Sequence, residues 1–174
     1  MAASRRDIHW NRSLELRLDE STMTGEGQLL TDIILRVFRL NGLLIQAGDE
    51  MGAEFGLTSA RWKVLGALAY GSQPMTVPQI AGTMGLSRQA VQRLVHDMAE
   101  GGLLQGIDNP EHKKSPLWRL SPAGRQTFDR IMQRQARWVD ALAQNMDRDA
   151  LRKTASTLEM CSTRLEQTKR ARRG

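Results

Sequence analysis

Apolar residues recur at intervals of three and four along most of the chain, interrupted by one pair of short strand-like runs. The pattern predicts a mainly α-helical protein with a small β-hairpin. Leu29, Leu30, Ile33, Ile34, Val37, Phe38, Leu40, Leu44 and Ile45 mark a long helix over 27–54, with a stripe wider than one neighbour requires. Thr58 caps the next helix, in which Trp62, Leu65 and Leu68 face inward, and Tyr70–Met75 makes a turn containing Gly71 and Pro74. Thr76 and Pro78 then open a short helix with Ile80, Ala81 and Met84 on one face. Gly85 ends it, and Ser87 caps another in which Val91, Leu94, Val95 and Met98 recur at helical spacing. Past Gly101 and Gly102, Leu103–Ile107 and Leu117–Leu120 read as paired strands, with Trp118 and Leu120 on one face. Ser121 and Pro122 begin a long helix striped by Phe128, Ile131, Met132, Gln135, Trp138, Val139, Leu142 and Met146. Asp147 and Asp149 mark a break before a last helix carrying Leu151, Leu158, Cys161 and Leu165, followed by the basic run Lys169–Arg173.

The segment 76–121 organises the rest. Ala81 is small where two helices must cross closely, Gly85 makes the turn four residues later, and Val91 and Leu94 fill the angle between the helices. That order gives a helix-turn-helix a physical reason at each position, whereas an ordinary helical hairpin demands none of them. Off the apolar stripe of the second helix lie Arg88, Gln89, Gln92, Arg93 and His96. Arginine pairs bidentately with guanine and glutamine with adenine, and both bind phosphates; the plain alternative is a solvated helix face. The polar turn between the strands carries Lys113 and Lys114 at its tip, as a wing reaching a phosphate or the minor groove would.

LTSARWKVLGAL (57–68), the helix-turn-helix, NPEHKKS (109–115) and LSPAG (120–124) together resemble a MarR-type winged-helix regulator, over about residues 27–170. The expected architecture is a winged helix-turn-helix flanked by long dimerisation helices. Its parts are an N-terminal extension (1–26), a dimerisation helix (27–56), the DNA-binding region (57–121), and C-terminal dimerisation helices with a basic tail (122–174). Ser87, Arg88, Gln89, Gln92, Arg93 and His96 are then the expected contacts of the recognition helix, and His112, Lys113, Lys114 and Ser115 those of the wing. His112 stands where members of the family commonly carry an acid, and the two lysines stand where they carry arginines. Lysine does not reproduce the bidentate fork of arginine. The resemblance also implies a small aromatic or phenolic ligand, for which Phe38, Arg61, Trp62 and Trp138 are candidate borders; core packing beside an exposed arginine is the competing reading.

Composition adds direction. The 174 residues hold 25 Lys/Arg against 19 Asp/Glu, a net charge of +6, which favours a polyanionic partner. The excess does not lie on the proposed reading elements: residues 87–118 carry four of each sign, while 119–174 carry 13 basic against six acidic, a balance of +7. The first and last helices have more apolar face than a monomer buries, so a homodimer is expected. Its two-fold axis would set two recognition helices on a pseudo-palindromic duplex, with half-sites about one turn (~10 bp) apart. Residues 1–26 hold Ile8, Trp10, Leu14, Leu16 and Leu18 without a sustained period, and read either as disordered or as an arm against a partner chain.

Cys161 is the one cysteine and sits on an apolar stripe, where it reads as a small hydrophobe before it reads as a redox sensor. His9, His96 and His112 are too scattered for a metal site, no phosphate-cradling loop or nucleophile elbow occurs, and no cofactor is implied. Neither a signal peptide nor a bilayer-spanning run is expected, so the expected location is the cytoplasm. The reading is a non-enzymatic, sequence-specific transcription regulator, a repressor released by a ligand. A non-specific architectural DNA binder and a protein-interaction module on the same scaffold remain as alternatives.

Overall fold

The computed structural model describes residues 23–113 and 115–172. Helix α1 (Gly25–Gly52) leads through a single 3-10 turn (Ala53–Phe55) to α2 (Ser59–Tyr70), α3 (Val77–Met84) and α4 (Arg88–Glu100). The antiparallel strands β1 (Leu104–Ile107) and β2 (Leu117–Leu120) precede α5 (Pro122–Leu142) and α6 (Arg148–Ala171). The expected extension falls on 1–22 for the most part, outside the described residues, as do His9, Lys114 and Arg173. The chain divides into two compact units at Gly48 and Asp49.

In the first unit, α1 follows the predicted stripe, and its large apolar side chains from Leu29 to Ile45 are mostly exposed. In the second unit, the core gathers about α2. Five consecutive residues, Val64–Leu68, are buried there, so α2 has neighbours on several sides and no single wet face. Trp62, expected inward, is only partly buried at the rim of this cluster. Leu65, Ile80, Val91, Val95, Met98 and Ile131 close the core with essentially no exposure. Each such side chain is worth about 1.5–3 kcal/mol relative to leaving it in water.

The helix ends form as their residues dictate. Thr58, Ser87, Ser121 and Asp147 each accept a backbone N–H of the following turn through a side-chain oxygen. At Thr76 the arrangement is reversed: Gln79 Oε1 accepts from both the Thr76 amide (2.7 Å) and its hydroxyl (2.8 Å). Gly85 takes φ +64°, and Leu86 N–H reaches back to Ala81 O at 3.1 Å, closing α3 in a Schellman turn. The hairpin pairs Leu104 with Leu120 and Gly106 with Trp118. A third extended residue extends it where the sequence shows only a turn: Met75 and Trp118 exchange both backbone hydrogen bonds, at 3.0 and 2.8 Å. The 3-10 turn is tied to α5 by Glu54 with Arg134 and by the Arg130 guanidinium 5.1 Å above the Phe55 ring.

Candidate nucleic-acid interface

Helix α4 has its apolar residues turned to the core and a polar face turned to solvent. Val91, Val95 and Met98 are buried and Leu94 partly so, whereas Arg88, Gln89, Gln92, Arg93 and His96 are all exposed. Residues three and four apart share a helix face, so Arg88 with Gln92, and Gln89 with Arg93 and His96, form two adjoining rows. Among the described residues neither Arg88 nor Arg93 forms an ion pair. No acidic residue occupies the first turn of α4, and Arg88 stands there against the helix dipole. That placement costs about 0.3–1 kcal/mol in isolation and reverses sign when a phosphate meets the same helix end.

Ser87 belongs to this face and also holds it in shape, its hydroxyl accepting Ala90 N–H at 3.1 Å. Ser87→Ala is expected to destabilise the protein by about 1 kcal/mol, read as a lower urea midpoint at unchanged slope. An unchanged midpoint would show that the cap contributes nothing to α4.

The wing is built on Asn109, which the sequence reading passed over. Its side chain donates to Ser115 O at 2.8 Å and accepts from Glu111 N–H at 3.1 Å, while Ser115 N–H reaches His112 O at 2.9 Å. An asparagine ahead of a proline carries the signal for such a turn. His112 and Lys113 project into solvent and Ser115 is half-buried. His96 meets the Trp118 ring edge to face, with centroids 6.3 Å apart, so the end of the reading face lies directly against β2.

The four candidate ligand-pocket residues lie on three helices. Phe38 is an exposed residue of α1, in the first unit; Arg61 and Trp62 are neighbours on α2, and Trp138 is half-buried on α5. Arg61 points toward the recognition helix: it lies 3.9 Å from the Asp97 carboxylate and donates to Gly56 O at 3.3 Å. Cys161 is a half-buried free thiol on α6. Among the described residues no cluster of three or more His, Cys, Asp or Glu is placed to hold a metal, and no helix is long and apolar enough to cross a membrane.

The sequence profile of the MarR family matches residues 55–115, which run from the 3-10 turn through the wing loop. An uncharacterized protein of Mycobacterium tuberculosis is 36% identical over 126 residues, spanning 72% of this chain and 87% of that protein. The chain belongs to the MarR family. Another relative, the transcriptional activatory protein BadR of Rhodopseudomonas palustris, is 26% identical over 111 residues, 61% of this chain and 62% of its own length. The Staphylococcus aureus MepR–DNA complex has the same fold: the TM-score is 0.67 at 16% identity, over 75% of this chain and 96% of that one. The mainly helical architecture with a two-stranded wing is thus that of MarR winged-helix transcription regulators, as the residue pattern predicts.

Proposed function

We propose that this MarR-family chain is a homodimeric, sequence-specific regulator that reads a pseudo-palindromic duplex through Ser87, Arg88, Gln89, Gln92, Arg93 and His96 and anchors its wing through His112, Lys113, Lys114 and Ser115. The observation that carries the reading is the exposed Arg/Gln face of α4, whose arginines have no carboxylate partner among the described residues. A protein-interaction module would present exposed aromatic or apolar anchors on that helix, and α4 carries none.

Residues 27–56 and 122–174 serve as the dimerisation segments. On α6, Leu151, Leu158 and Leu165 repeat every seven residues and are all exposed, as on a helix awaiting a partner of its own kind. A dimer over two half-sites blocks about two turns of promoter, hence repression. BadR is named an activator, so a promoter–reporter fusion with and without this protein decides the sign. Release by an aromatic or phenolic acid at Arg61, Trp62 and Trp138 of the second unit fits the same scheme. A carboxylate that takes the Arg61 guanidinium from Asp97 removes a tie between α2 and the recognition helix. It lowers DNA affinity by its differential binding to the two states.

The test is a binding titration at several salt concentrations, with duplex from upstream of the chain's own coding region and a scrambled duplex. The expected result is one dimer per specific site, a gap of at least ~10³ over the scrambled duplex, and steep loss with salt. Equal affinity for both duplexes would make the protein an architectural binder, and absence of binding at low salt would leave only the interaction module.

A further inference from the structure

Trp118 is the point at which the wing is fixed to the rest of the second unit. Its amide and its carbonyl are both taken up by Met75, the residue before the N-cap of α3, at 2.8 and 3.0 Å. Its pairing with Gly106 on the other side is therefore of the non-hydrogen-bonded kind, in which facing residues approach most closely. The ring uses that closeness: a Cβ on Gly106 would stand 3.4 Å from Cζ3 and 3.6 Å from Cη2. Two neighbouring segments thus hold one side chain, which is only 6% exposed.

The same ring reaches α4. His96, exposed on the polar face, meets it edge to face, with centroids 6.3 Å apart and 65° between the planes. That separation lies inside the range over which aromatic pairs attract. His96 shares its row with Gln89 and Arg93, so the contact joins the reading face to the wing. The indole carries a second signal: its N–H is buried and has no hydrogen-bond partner among the described residues. Phenylalanine at this place would not carry that cost. The core alone therefore gives no reason for an indole at 118, whereas a ring in touch with Gly106 and His96 at once does.

We propose that Trp118 is a positioning residue for DNA reading. It does not touch the duplex; it holds the His96 imidazole in one orientation and at a fixed place relative to the wing, so that helix and wing meet DNA as one surface. Hydrogen bonds from an imidazole are directional, and an exposed ring free to change rotamer loses that freedom on binding. Packing against a buried ring removes part of the loss in advance. The inference rests on the proposed reading through α4 and adds to it the group that orients His96.

The test is a double-mutant cycle on the full-length protein, read as affinity for the specific duplex from upstream of its own coding region. His96→Ala is expected to weaken binding about tenfold and Trp118→Leu about fivefold. Trp118→Phe keeps an aromatic edge and is expected to lose less, with a thermal midpoint near that of the parent because it also removes the unpaired N–H. Circular dichroism checks the fold of each variant, and Trp118→Phe carries the cycle if Trp118→Leu unfolds. In the His96→Ala background both changes at Trp118 are expected to alter affinity by less than about 1.5-fold, whereas beside Arg88→Ala they keep their full effect. A purely structural role would give the same loss in either background. In the free protein, the NMR signals of the His96 ring protons, assigned by their absence in His96→Ala, are expected to be displaced from those of a free imidazole by the indole ring current. They should return toward it in Trp118→Leu. Losses that persist at full size without His96 overturn the inference and leave the reading in place. So do unchanged affinity in both Trp118 variants and His96 signals already at the free-imidazole position. A parent protein that shows no preference for the specific duplex overturns the reading and this inference together.

Discussion

Gly124→Ala is expected to lower the thermal midpoint by about 10 °C, the largest stability loss of any single methyl addition in the second unit. Gly124 lies in the first turn of α5, its N–H on the Ser121 hydroxyl at 2.9 Å, and it is buried against the chain leading into β1. A Cβ placed there would stand 2.0 Å from Leu103 O and 3.0 Å from the carbonyl carbon. Those are backbone atoms and have no rotamer to yield. The same junction is fixed by Ser121 N–H on Leu103 O at 3.0 Å and by the Ser121 hydroxyl on Gly102 O at 2.6 Å. Relief therefore requires α5 to move off the hairpin, with loss of those bonds and loosening of Phe128 and Ile131 in the core. Overpacking of this kind costs about 1–3 kcal/mol and each hydrogen bond about 1 kcal/mol, so roughly 3–5 kcal/mol is at stake. A domain of this size loses about 2–4 °C per kcal/mol. Gly82→Ala is the control: nothing lies within 4 Å of a Cβ there, and in mid-helix alanine is better than glycine by about 1 kcal/mol. If both variants melt with the parent protein, the close approach of α5 to the β1 lead-in does not exist in solution.

The same junction shows what a sequence can and cannot disclose. Ser121, Pro122 and the glycine of LSPAG announce a helix start, since capping is local and its residues are adjacent. That Gly124 must be glycine comes from Leu103, and no local rule contains that fact. The helix-turn-helix was legible for the same local reasons: Ala81, Gly85 and Val91 act across one turn, and Gly85 takes the positive φ expected of it. Helix α2 was half legible. Its five consecutive buried residues leave no stripe to read, so Trp62 looked as inward as Leu65, though it sits at the rim. Of the candidate site, the exposed rows of α4 follow from helical spacing alone. The pairing of Arg61 with Asp97 and the meeting of His96 with Trp118 join residues distant in sequence. Such pairings arise from packing, and a single sequence carries no periodic trace of them.

Arg93→Ala and Lys114→Ala are expected to weaken DNA binding in different ways, and the difference tests the proposed division between reading helix and wing. Arg93 is exposed in the middle of the α4 face, one turn from Gln89 and beside Gln92, where a side chain entering the major groove meets base edges. Loss of one bidentate base contact costs about 1–3 kcal/mol. In a homodimer the change is made in both half-sites, so the specific duplex should lose about 2–6 kcal/mol, roughly 30-fold to 10⁴-fold, and the scrambled duplex far less. Discrimination between the duplexes then collapses. Lys114, which lies outside the described residues, is assigned to the wing by the proposed reading, and lysine acts on phosphate as a point charge. Its removal should weaken both duplexes equally and flatten the salt dependence by about one phosphate contact for each wing engaged. The charge balance makes this a demanding test. Residues 87–118 are neutral overall, so specificity has to come from a few placed side chains, while non-specific attraction has the +7 of residues 119–174 to draw on. If Arg93→Ala weakens the specific and scrambled duplexes by the same factor, α4 contributes charge alone and the protein reads no sequence through it.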